Sequence, residues 1–162
     1  MRRLITWAAL ATLAAACSSI DCPVENTVNT VCGFYRADGT ADTLKTDTLT
    51  VSTTRRDGND TVVINRDVNA TGCKLPVSSG AAADTFHIAL RDTAGGVSTA
   101  TMMIDKTDRP QFESVDCKMA FFHTITQVRW TGSAIDSVVI KKQNVDYDAS
   151  SQHLYIYFKA RR

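Results

Sequence analysis

Five cysteines, three histidines and a marked excess of aspartate are the residues of this chain that could do chemistry. The thiols stand at Cys17, Cys22, Cys32, Cys73 and Cys117, with no Cys-x-x-Cys among them, and His87, His123 and His153 are far apart in sequence. A structural zinc site draws on Cys or His in close pairs, so neither a metal nor any other cofactor is expected. The sequence also lacks a Gly-x-Ser-x-Gly nucleophile elbow, a phosphate-binding Gly-x-x-x-x-Gly-Lys loop and a dinucleotide fingerprint. With Glu25 and Glu113 the only glutamates, a glycosidase would have to draw its acid and base largely from Asp. Asp105, Asp108 and Asp116 gather around Arg109 and Pro110 and read as a solvated turn with local ion pairing, while Asp57 to Asp60 is too short for a calcium loop and reads as a hairpin turn. No catalytic residue is nominated.

Cys17 is set apart by what precedes it. Arg2 and Arg3 are followed by an uncharged run over residues 4–16, the charged-then-apolar pattern of a secretory signal peptide. At about 1.5 Å per helical residue such a run is too short to cross a hydrocarbon core roughly 30 Å thick. It ends in Leu13, Ala14, Ala15, Ala16 and Cys17, which resembles the lipobox at which lipoprotein signal peptidase cuts once the thiol carries diacylglycerol. The expected organisation is a signal peptide over 1–16, a lipidated tether over 17–27 and one domain over 28–162. The lipid is then the membrane partner, and several acyl chains hold far more firmly than one. Ser18 after the cysteine is compatible with outer-membrane delivery, on the periplasmic face rather than the cell surface. A net charge of +1 without a cationic block suggests no nucleic-acid partner.

Four cysteines remain for an exported domain, and four permit three connectivities. The preferred pairing joins Cys22 to Cys117 and pins the tether to the domain, for a chain-entropy gain of roughly 4 to 5 kcal/mol. Cys32 and Cys73 are then left as a second bridge or as buried thiols.

The elements that must position these groups are strands. Asp outnumbers Glu fifteen to two and there are twenty-one Thr; Asp serves turns and Thr serves strands, whereas Glu serves helices. Apolar residues alternate with polar ones over 48–52, 85–91, 99–104 and 153–158, as in half-buried strands. Runs at 28–35, 61–65, 112–116, 119–130 and 135–141 are rich in Val, Ile, Phe and Thr, and turn signals such as Asp38-Gly39, Asp57-Gly58 and Gly95-Gly96 separate them. Seven to nine such strands predict an antiparallel β-sandwich, immunoglobulin-like, with a closed barrel as the competitor. On that pattern His87 and His153 face solvent and His123 is buried and hydrogen-bonded.

The order Asp21-Cys22-Pro23, Cys32-Gly33-Phe34-Tyr35, Asp47 to Val51, Leu75-Pro76, Pro110 to Cys117, His123 to Trp130 and Asp136 to Ile140 resembles an uncharacterised envelope lipoprotein family of Bacteroidetes. The resemblance implies an envelope lipoprotein and assigns no catalytic residue; Cys73 is an addition to its pattern. Two classes of function follow. One is a non-catalytic accessory or interaction domain serving an outer-membrane β-barrel or envelope complex, with Tyr155, Tyr157 and Met103 as outward apolar contacts. The alternative is a glycan-binding module or hydrolase subunit, with Trp130 and the tyrosines as a stacking platform.

Asp followed by Ser or Thr and a small apolar residue recurs at Thr43, Thr48, Thr61, Thr93 and Ser137, matching the O-glycosylation sequon of exported Bacteroidetes proteins. Chance at this composition gives roughly one or two matches. A turn Asp feeding a strand Thr yields the same triplet for structural reasons. Glycosylation of even one site predicts an intact mass that falls on mild base treatment of the native protein; an unmodified intact mass excludes it.

Overall fold

The computed structural model describes residues 28–55, 57–115 and 117–159; the expected leader and tether, with Cys17 and Cys22, lie outside them, as does Asp116. The described chain is all β. β1 (Asn29–Tyr35), β4 (Gly72–Pro76), β8 (Ile135–Ile140) and β10 (Leu154–Phe158) form one sheet in the order β4-β1-β10-β8. β2 (Thr48–Thr54), β3 (Asp60–Val68), β5 (Ala83–Arg91), β6 (Val97–Gln111), β7 (Ala120–Gly132) and β9 (Asn144–Val145) form the other, in the order β3-β2-β5-β6-β7-β9.

The sandwich is the expected class, with differences that have physical reasons. β4 and β9 are strands too short to show a period. The apolar run at 112–116 is not a strand: Phe112 to Val115 lie in the connection from β6 to β7. Pairing is antiparallel except between β1 and β10, which run parallel with Cys32 opposite Leu154 and Phe34 opposite Ile156. The division of an immunoglobulin constant domain into strands ABED and CFG is not reproduced, because β5, β6 and β7 follow one another within a single sheet. β7 leaves that sheet for β8 through Gly132, whose φ of 106° and whose closeness to Thr99 O, 2.5 Å from where a Cβ would sit, both require glycine.

The core fills the space between the sheets. Phe34, Leu154 and Ile156 point in from one side and Leu49, Phe86, Met102 and Ile104 from the other, all at most 1% exposed; Phe34 meets Phe158 edge to face at 5.0 Å. Cys32 and Cys73 face each other across the β1–β4 ladder, and both are free thiols. Of the two alternatives left open for this pair the structure has the thiols, and β1 is held to β4 by main-chain bonds.

His153, expected on an exposed strand position, is fully buried. It precedes β10 and extends the parallel ladder by one rung: its N–H donates to Val31 O at 2.8 Å, and Val31 N–H donates to its Nδ1 at 2.9 Å. An imidazole that accepts at Nδ1 carries its proton on Nε2. Burial, helped by the Lys142 charge and opposed by Asp146 and Asp148, holds the His153 pKa below its ordinary value.

Two outcomes follow. Ile156→Ala opens a cavity in the β1–β10 seam and lowers unfolding free energy by about 2 to 5 kcal/mol in urea titrations, whereas Val62→Ala, at a site 55% exposed, changes it by about 0.5 kcal/mol or less. Because the unfolded chain takes up a proton near pH 6.5 that folded His153 resists, its contribution is complete above that pH and is lost as pH falls through it. His153→Asn keeps an acceptor for Val31 without titrating, so the urea midpoint falls less between pH 7 and pH 5 in the variant than in the parent.

Candidate functional site

The outer face of the four-stranded sheet carries an aromatic cluster assembled from both ends of the chain. In β1 the core takes Cys32 and Phe34, so Gly33 and Tyr35 face outward; in β10 the core takes Leu154, Ile156 and Phe158, so Tyr155 and Tyr157 face outward. Parallel pairing sets Tyr35 opposite Tyr157 and Gly33 opposite Tyr155. Tyr35 stacks on Tyr155 with centroids 4.0 Å apart and lies 6.0 Å from Tyr157. The Tyr35 hydroxyl donates to Gln152 Oε1 at 2.7 Å, and Gly33 is what admits that amide: a Cβ there would lie 2.3 Å from Gln152 Oε1. Lys141 Nζ stands 5.0 Å from the Tyr155 ring, and Val139 beside it is 44% exposed. Tyr155, shared between Tyr35 and Lys141, is a poor stacking platform for a sugar. As half-buried rings with polar tips, the three tyrosines have the composition of a protein-contact surface.

A second cluster lies inside one end of the sandwich. Alternation along β6 turns Ala100, Met102 and Ile104 inward and then, at the next inward position, Lys106, which is 4% exposed. Lys106 Nζ donates to Asp108 Oδ1 at 2.6 Å and to Ala81 O at 2.8 Å, and stands 3.8 Å from Asp84 Oδ2. His123, opposite Asp108 on β7, pairs through Nδ1 with Asp108 Oδ1 at 2.8 Å. Gly80 N–H donates to Asp108 Oδ2 at 2.6 Å, and Ser78 N–H to Asp84. Partial burial disfavours the Asp108 carboxylate, but Lys106, Gly80 and His123 together outweigh it and lower its pKa. A buried lysine is tolerated only when paired, and here its pairing ties the β4–β5 crossover to the six-stranded sheet.

Two clefts flank His123. One, of about 340 Å³, includes Arg109, Phe122, Thr124, Asn144 and Asp146; the other, of about 270 Å³, includes Val28, Pro76, Lys118, Met119 and Phe121. His123 is buried and hydrogen-bonded, as the sequence suggested. The aspartates near Arg109 behave otherwise than expected. Asp105 and Asp108 are not in a turn but within β6, where Asp105 holds Arg129 through two bonds of 2.8 and 3.0 Å.

The other candidate residues scatter. Met103 takes the Arg129 guanidinium at 2.9 Å on the outer face of the six-stranded sheet, so it lies on the opposite side of the sandwich from Tyr155 and Tyr157. Trp130 packs against the core and donates to Asp136 O at 3.2 Å; it forms no platform with the tyrosines. His87 sits half-exposed between Thr54 and Thr101 at 3.0 and 3.2 Å. Of the sequon aspartates, Asp42 is buried against Arg36, Asp47 is buried, Asp60 accepts from Thr54, and Asp92 accepts from Gly96 N–H in the β5–β6 turn. These roles give the structural reading of the triplets a concrete basis; Thr93 is exposed, and the other four hydroxyl residues are half-buried. Cys117 is buried and is not a free thiol.

Sequence reasoning missed Tyr35 and Lys106. Extending the β6 alternation by one step would have flagged a lysine at a core position. Nothing local marks Tyr35, whose neighbours arrive from more than a hundred residues away.

No curated protein and no solved structure matches the chain. Residues 48–158 match the model of a family of unknown function, DUF6452. That stretch holds the whole six-stranded sheet, β4, β8 and β10 but not β1. The chain belongs to this family of unknown function, DUF6452.

Proposed function

We propose that this chain is a lipid-anchored protein of the bacterial cell envelope, an outer-membrane lipoprotein of Bacteroidetes type, whose sandwich is a non-catalytic interaction domain. The observation that carries the reading is the leader: Arg2 and Arg3, an uncharged run and then Ala16-Cys17. The domain meets an envelope partner, for which an outer-membrane β-barrel complex is the natural candidate, through Tyr35, Tyr155 and Tyr157. Clustered half-buried tyrosines give rigid contact area at low entropic cost. Cys22 pairs with Cys117 and fixes the tether to the domain: Cys117 is engaged and Cys32 and Cys73 are free, which leaves Cys17 and Cys22.

Expressed with its leader, the parent enters the detergent phase on Triton X-114 separation and its N-terminal peptide carries acyl mass at Cys17. Cys17→Ser moves the protein to the aqueous phase; unchanged partitioning of that variant overturns the anchor. Tyr35→Ser combined with Tyr155→Ser abolishes co-purification of the envelope partner while the variant, at a lowered thermal midpoint, keeps a cooperative unfolding transition and the parent's far-UV spectrum. Retained binding by this pair removes the tyrosine face from the proposal, and saccharide binding on a glycan array would favour the glycan-binding alternative.

A further inference from the structure

We propose that the tip of the β6–β7 hairpin dips into the lipid bilayer, through Phe112, Val115 and Met119. The inference rests on the lipid-anchor reading above and adds to it a second point of membrane contact. Seven large hydrophobic residues are exposed among the described residues, and three of them fall within this one connection, at 61%, 86% and 52% exposed respectively. Apolar residues gathered at such exposure mark a surface that something covers.

The fold carries this tip outward. β5 pairs with β6 only as far as Ala83 opposite Asp105, while β6 and β7 remain paired from Lys106–Ile125 to Gln111–Ala120. β9 still flanks β7 at His123 and Thr124, so the pair passes both of its neighbours over its last three rungs, Arg109–Phe122 to Gln111–Ala120, as a short arm. Val28, the first described residue, borders the same cleft as Lys118 and Met119, so the chain reaches the domain from its N-terminal side next to the arm. With Cys22 bonded to Cys117 as proposed above, the five steps from Cys17 to Cys22 span at most about 18 Å when fully extended. A domain tied to the bilayer by that length, at the connection that carries Cys117, holds the arm tip near the lipid surface.

The chemistry of the tip fits an interface. Lys118 is exposed beside Met119, placed for lipid phosphate, and the Glu113 charge joins burial in raising the Tyr147 phenol. An aromatic, a valine and a methionine entering at the headgroup and acyl boundary resemble the apolar face of a peripheral membrane element. Shallow insertion sets the domain's orientation as well as its distance, which a single point of attachment does not do.

The test uses the lipidated full chain, reconstituted into phosphatidylethanolamine and phosphatidylglycerol vesicles with acyl chains brominated near the headgroup. Val115→Trp is compared with Val62→Trp, exposed on the edge strand β3, after subtraction of the parent emission. The expected result is loss of about half the Val115→Trp emission on co-floating vesicles, with Val62→Trp unchanged. Equal, weak quenching of both in a protein that floats overturns the inference and leaves the anchor standing. Val115→Trp shielded from acrylamide but not quenched by the brominated chains also overturns it, because a protein partner or second copy then covers the tip. A chain that does not float removes the anchor and this inference together.

Discussion

The parallel pairing of the first strand with the last closes the four-stranded sheet, and most of what distinguishes this molecule depends on it. β1 joins β10 to β4, so without it the core residues Phe34, Leu154 and Ile156 would lose their neighbours. The pairing also brings Tyr35 onto Tyr155 and makes His153 a rung of the ladder rather than a surface residue. A parallel contact between chain ends is the most non-local kind, and its loop-closure entropy must be met by burial along the whole seam. The family match begins at β2, which leaves β1 as the strand outside the matched region.

A second constraint acts where β6 passes the end of β5. Ladder alternation forces residue 106 inward, and that residue is a lysine. Its charge is accommodated because Asp84 and Asp108 stand on adjacent strands and the 78–81 backbone completes the hydrogen bonding. The same bonds fix the crossover from one sheet to the other. Beyond this point β6 and β7 run past β5, with the short β9 beside them at His123 and Thr124, and end in a connection whose tip is apolar. Polar burial at the base and apolar exposure at the tip are two consequences of one strand pair outlasting its neighbours.

The sequence by itself determined the class of fold, most strand positions and the inward residues of β2, β5, β6 and β10. Each follows from a period-2 pattern that the pleat imposes locally. The expectation of a leader ending at Cys17 also comes from the sequence alone, because its signals are compositional and contiguous. It could not assign facing across sheets: Met103 and Tyr155 are both outward on their strands, yet outward means opposite directions on the two layers. Nor could it place His153, since an alternating polar residue next to a strand looks exposed until a second strand pairs over it. Strand order, the partner of Tyr35, the burial of Lys106 and the projection of the β6–β7 arm are relations between segments distant in sequence. Only the tertiary structure decided them, because they depend on which hydrogen-bonding edges meet, and a strand's own residues encode its faces far more strongly than its edges.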